Sequence, residues 1–120
     1  MKENVYSITL PMLSEMSNKK TEELKNALQR IDKIHDETVQ FVSSAADKLR
    51  AARKYNASIE VNYSITTLVK MRANLENLLI AEFDNGLTAE EIEMVIAKYQ
   101  DGIKMLTNTI NKVMLAAKER

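Results

Sequence analysis

Leu87–Lys118, which reads LTAEEIEMVIAKYQDGIKMLTNTINKVMLAAK, decides the fold. From Ile92 onward its apolar side chains fall at alternating steps of four and three: Ile92, Ile96, Tyr99, Ile103, Leu106, Ile110, Val113 and Ala117. A mean period of 3.5 residues puts all of them on one side of an α-helix and predicts packing along its whole length against other helices. Thr88 is a natural N-cap, with Glu91 placed to close a capping box and Leu87 placed to staple onto Ile92. Asp101-Gly102 alone would read as a turn, but the phase runs unbroken from Tyr99 through Ile103 to Leu106, which predicts one continuous helix C over 88–118. Val95, Gly102, Thr109 and Ala116 recur every seventh residue beside the seam. This slim line invites close approach of a neighbouring helix and offsets the cost of a helical glycine, about 1 kcal/mol.

Working back from Leu87, Asp84-Asn85-Gly86 is a strong helix stop, with Gly86 free to take positive φ. Helix B, about 58–83, carries an apolar set broader than a seam. Leu68 and Leu75 sit at its centre, Met71 and Leu78 on one flank, and Val61, Ile65, Leu79 and Phe83 on the other; Val69, Ala73 and Ile80 extend further round. That is more than two neighbouring helices usually bury, so helix B is expected to be central or to meet another subunit.

Helix A, about 17–55, has Ser17, Asn18 and Thr21 as candidate caps and a seam of Leu24, Leu28, Ile31, His35, Thr38, Val42, Ala45, Leu49 and Ala52. Neither Gly nor Pro occurs between Pro11 and Gly86, so its end is read from phase alone. The continued seam would meet Asn56, Ile59, Tyr63, Thr66 and Lys70, which is not an apolar stripe. The A–B turn is therefore expected between Asn56 and Ser64, with Asn56 left-handed and Ser58 or Ser64 capping helix B. One helix running through a stutter is the alternative. Residues 1–16 differ in character: Val5-Tyr6-Ser7-Ile8-Thr9-Leu10 is β-branched and alternating, and Pro11 disfavours helix at Leu10. They are expected to form an N-terminal arm lying on its own bundle or on a second subunit, with Pro11 able to open a short helix carrying Met12, Leu13 and Met16.

Aromatics are 5%, with two glycines and one proline, a composition that favours helices over sheet. The expected fold is all-α: one domain, an antiparallel, coiled-coil-like, up-down-up bundle of three long helices with an N-terminal arm. Its length makes the body a rod.

Seventeen basic and seventeen acidic residues cancel, so bulk charge favours neither nucleic acid nor an anionic membrane. The absence of cysteine excludes disulfides, thiolate catalysis and Cys-based zinc sites. No stretch approaches a membrane span, and Asn4–Leu13 is too short and too rich in hydroxyls for a secretory core; cytoplasmic is the expected compartment. There are no paired catalytic carboxylates, Ser-His-Asp set or Gly-rich phosphate loop, so an enzyme, a cofactor and a metal site are not expected. His35, the single histidine, stands three residues after Asp32. With no second copy of that pair, it is expected as a buried polar residue that fixes register, in the manner of polar residues on coiled-coil seams.

Two local features remain. Lys48, Arg50, Arg53 and Lys54, followed by Tyr55, form the one dense basic run. Ser44–Arg72 has six basic against two acidic residues, Ala73–Ile103 one against seven, and Lys104–Arg120 four against one. In an up-down-up bundle this makes one pole basic and the other acidic, much of it ordinary complementation of helix dipoles. The sharper reading makes Lys48, Arg50, Arg53, Lys54 and Tyr55 a phosphate contact. Met94 and Met105, eleven residues apart, share the polar face of helix C opposite its seam and, with Val69, Ala73 and Ile80, form the candidate protein interface. The functional expectation is a non-catalytic interaction module, a helical regulator, adaptor or assembly subunit that self-associates as a homodimer and meets a protein partner. A nucleic-acid-binding regulator using the basic pole is the alternative.

Overall fold

The structure, a computed structural model, describes residues 11–118, with side chains from residue 21 onward. Three helices follow in order, α1 (Pro11–Ala51), α2 (Tyr55–Phe83) and α3 (Ala89–Lys118), and no strand occurs among the described residues. Short turns at 52–54 and 84–88 make successive helices antiparallel, so the all-α up-down-up bundle is what forms. It is a rod of 65 × 25 × 16 Å with a radius of gyration of 19.2 Å. A compact chain of this length would have a radius of about 14 Å.

Both turns close with the same hydrogen-bond pair. After α1, the Lys54 N–H donates to Leu49 O (2.8 Å) and the Arg53 N–H to Arg50 O (2.9 Å); after α2, the Leu87 N–H donates to Glu82 O (3.3 Å) and the Gly86 N–H to Phe83 O (3.2 Å). These are Schellman motifs, each needing one left-handed residue. Gly86 (φ 87°) supplies it in the second turn, as its sequence predicts; Arg53 (φ 62°) supplies it in the first. The A–B turn thus lies at Ala52–Lys54, not at Asn56–Ser64, because α1 is stopped by an arginine in a conformation usually taken by glycine. Helix A ends at Ala51 instead of near Tyr55, α2 starts at Tyr55 instead of Ser58, and Asn56 is helical. The two helices are not continuous. Ser58 caps nothing: its side chain is buried and its hydroxyl donates to Ala46 O across the α1–α2 interface at 2.7 Å.

α1 also begins earlier than read, at Pro11, so the helix absorbs residues 11–16 of the expected arm; the extended stretch at 1–10 lies outside the described residues. At α3, Thr88 and Glu91 make the capping box, with the Glu91 N–H donating to Thr88 Oγ1 (3.1 Å) and the Thr88 N–H to Glu91 Oε1 (2.9 Å). α3 runs straight through Gly102, where an added Cβ would stand 3.3 Å from Met71 Cε of α2. Close approach is what the missing side chain permits.

Register follows from two contacts: Ser58 to Ala46, and Arg72 Nη1 at 3.7 Å from Asp32 Oδ1. In an antiparallel pair both give the same offset, which sets Phe83 level with Thr21. α1 therefore runs about ten residues, roughly 15 Å, past the end of α2. α1 and α3 run parallel, joined on their outer side by the Arg30–Glu93 ion pair. α1, not α2, is the helix that packs most broadly on its neighbours. α2 buries only Ser58, Val61, Leu68 and Leu79, so the expectation that helix B is central is corrected.

The core has two buried clusters, with the half-buried Ile103 of α3 packed against both. Near the 52–54 turn, Val42, Ala45, Ala46, Leu49, Val61, Leu68, Ile110 and Ala117 pack together. Toward the 84–88 turn, Ala27, Ile31, Leu79, Ile92, Ile96 and Tyr99 form a second cluster. Between them lie polar side chains from all three helices, among them His35 of α1, Arg72 of α2 and the Tyr99 hydroxyl of α3.

Candidate functional site

Four places carry chemistry: the polar belt, the outer face of α2, the outer face of α3, and the pole where α1 and α3 end. In the belt, Asp32 and His35 of α1 meet Arg72 and Glu76 of α2 and Tyr99 of α3. His35 and Tyr99 are about 95% buried. Burial, with the Arg72 charge nearby, holds the His35 imidazole below its ordinary pKa, so it is neutral near pH 7. Burial first, then a proton shared with the Asp32 carboxylate, pushes Glu76 up to about 7. Burial likewise raises Tyr99. Among the described residues three buried polar atoms lack a hydrogen-bond partner, His35 Nδ1, Arg72 Nε and Tyr99 Oη, and all three belong to this belt. His35 is thus the buried polar residue its place on the seam predicts. No set of three His, Asp or Glu side chains among the described residues is arranged to hold a metal. Sequence reasoning missed Arg72 and Glu76, although the signal was present: Val61, Ile65, Leu68, Arg72, Leu75 and Leu79 keep steps of four and three, and Arg72 is the one charged member.

On α2 the flank turned toward α1 carries an unusual number of exposed apolar side chains. Ile59 and Tyr63 are each 69% exposed, Tyr55 57%, Ile80 52% and Val69 45%, with Ala73 exposed between the last two. Tyr55, Ile59, Asn62, Thr66, Val69, Ala73, Glu76 and Ile80 follow steps of four and three, a second seam on the solvent side. α2 carries only five charged residues in 29, and two of them, Arg72 and Glu76, are half-buried in the belt. An exposed helix face ordinarily carries more charge; α3 has eight charged residues in 30.

Met94 and Met105 are exposed on α3, as its wheel predicts. They do not join the α2 stripe, because α3 packs on the Met71 and Leu75 side of α2 while Val69, Ala73 and Ile80 lie round toward α1. The five candidate interface residues form two faces. Comparison with protein-family models, curated proteins and solved structures finds no match, so the geometry alone carries the functional argument.

The basic run is also divided. Arg50 pairs with Asp47 and, with Tyr55, lines a groove between α1 and α2 that includes Ser43, Ile59 and Asn62. Lys48 of α1 and Lys54 of the 52–54 turn instead join Lys118 around a groove between the ends of α1 and α3. Arg53 occupies the turn. The five residues read as one phosphate contact therefore serve three different surroundings. Lys118, from the basic end of helix C that the charge pattern marks, and Leu115, which the sequence reading passed over, belong to the second groove; the signal was Leu115 lying off the helix C seam at its basic end.

Proposed function

We propose that this chain is a non-catalytic protein–protein interaction module that presents the outer face of α2 to a protein partner, first of all to a second copy of itself. The observation that supports this most is the charge-poor second seam of α2. Its large apolar members Tyr55, Ile59, Val69 and Ile80 are exposed, with Tyr63 exposed further round the helix, and soluble monomers rarely leave apolar patches of more than a few hundred Å² in water. An isologous pairing of α2 with α2 would cover the same patch on both copies. Among the described residues no helix is long and apolar enough to cross a membrane.

Sedimentation at micromolar concentration is expected to show a species of twice the 13.7 kDa chain mass. Val69→Glu with Ile80→Glu is expected to return it to the single chain without loss of helical circular dichroism, since neither side chain is in the core. A wild-type chain that sediments only as a monomer removes self-association. The nucleic-acid reading makes the opposite demand: binding must fall steeply as salt rises and vanish when Arg50, Arg53 and Lys54 become Gln, whereas apolar association should weaken little with salt.

A further inference from the structure

Where α1 and α3 end side by side, a groove of about 460 Å³ opens to solvent. Its floor and walls are Leu49, Ala52, Met114, Leu115 and Ala117; Lys48, Lys54 and Lys118 rim it, and no carboxylate lines it among the described residues. We infer that this groove docks an amphipathic helix of a partner protein whose apolar anchors are flanked by Asp or Glu.

Charge complementarity selects the occupant. Lys48 and Lys118, in the last turns of α1 and α3, offset the partial negative charge of those helix ends, but that role needs no apolar floor. Here Leu115 stays 60% exposed beside the lysines. Ala52 and Ala117 leave the depression, Leu115 forms its wall, and Met114 is a side chain that repacks easily around a guest. Along α3 the lining runs from Asn111 to Lys118, two helical turns or roughly 10 Å, which matches apolar anchors at i, i+4 and i+7 of a helix laid in a groove. Nucleic acid fits less well, because the lining holds no aromatic ring for a base to stack on. This groove shares no lining residue with the α2 seam, so the inference stands or falls independently of self-association.

The test uses the full chain and a synthetic helical peptide of about 15 residues with Leu at i, i+4 and i+7 and Glu beside them. The controls are the same peptide with Lys for Glu, and a single-stranded oligothymidine. The acidic peptide is expected to bind roughly tenfold more tightly than the basic one, with Met114 methyl resonances shifted and Met94 unmoved. Charge reversal at Lys48, Lys54 and Lys118 to Glu should invert that preference. Leu115→Ser, at an exposed position that leaves folding intact, should weaken both peptides. Equal binding of acidic and basic peptides, insensitivity to Leu115→Ser, or salt-sensitive capture of the oligothymidine in place of the acidic peptide would each overturn the inference.

Discussion

Glu76→Gln is expected to stabilise the bundle at pH 8 and to leave it nearly unchanged at pH 4.5. In the folded chain the Glu76 carboxyl is held up to about 7, against 4.5 for a free glutamate side chain. A carboxyl whose folded pKa is raised contributes its stability in the protonated form, fully present below 4.5 and lost as pH climbs through 7. Above that, the native state must hold an ionised carboxylate next to Asp32, partly out of water. A shift of that size would correspond to about 3 kcal/mol if Glu76 were fully buried; its partial exposure brings the figure to on the order of 1 to 2 kcal/mol. Glutamine keeps the donor that a protonated Glu76 offers Asp32 and carries no charge to desolvate. Urea titrations at the two pH values measure the difference, and an equal change in midpoint at both would refute the assignment. His35 works in the opposite sense. Its folded pKa lies below the ordinary 6.5, so the stability of its neutral form is present above that value and lost as pH falls below it. Between pH 4.5 and 8 these two titrations oppose each other in the wild type, and Glu76→Gln leaves the histidine limb alone: over that interval its profile should fall toward acid.

Leu68→Ala should cost the most of any single truncation in α2, about 3 kcal/mol. Leu68 is fully buried, and large-to-small changes at such sites lose both the transfer free energy and the contacts around the cavity left behind, typically 2 to 5 kcal/mol. The helix has few other holds on the core: Ser58, Val61 and Leu79 are its only other buried residues. Leu78→Ala, at a position 51% exposed on the same helix, is the control and should change stability by less than about 0.5 kcal/mol. Chemical unfolding with a displaced midpoint and an unchanged slope checks the first. Similar losses in both variants would mean that the face assigned to the core is wrong.

The two helix-ending turns explain what the sequence made legible and what it hid. The second stop is written in Asp84-Asn85-Gly86, because glycine is the residue that takes positive φ without strain, and α3 opens where Thr88 and Glu91 place a capping box. The first stop has the same hydrogen bonds but an arginine at the left-handed position, so nothing local announced it and the phase argument put it several residues late. α3 was readable through Asp101-Gly102 because its seam is uninterrupted. α2 was read as broadly apolar because it bears two seams, one packed on the core with Arg72 in it and one facing solvent. Val69, Ala73 and Ile80 were recognisable as surplus to the core. That Lys48 and Lys54 part company from Arg50 was not, since adjacent residues on a helix point in directions that only its neighbours distinguish.

The inward-facing His35, Arg72 and Tyr99 also govern how the rod comes apart. Apolar packing transmits cooperativity by direct contact, and a layer of incompletely partnered polar atoms is where that transmission is weakest. The hairpin end around Val42, Val61 and Leu68 and the opposite end around Ile31, Leu79 and Ile96 behave as two zippers sewn onto one continuous tape, α1. Amide hydrogen exchange should then resolve two protection plateaus with a step near residue 35 in α1, near 72 in α2 and near 99 in α3; a single uniform plateau would mean that the rod opens only as a whole. With such a joint, either end can loosen to take a neighbour while the other keeps its shape.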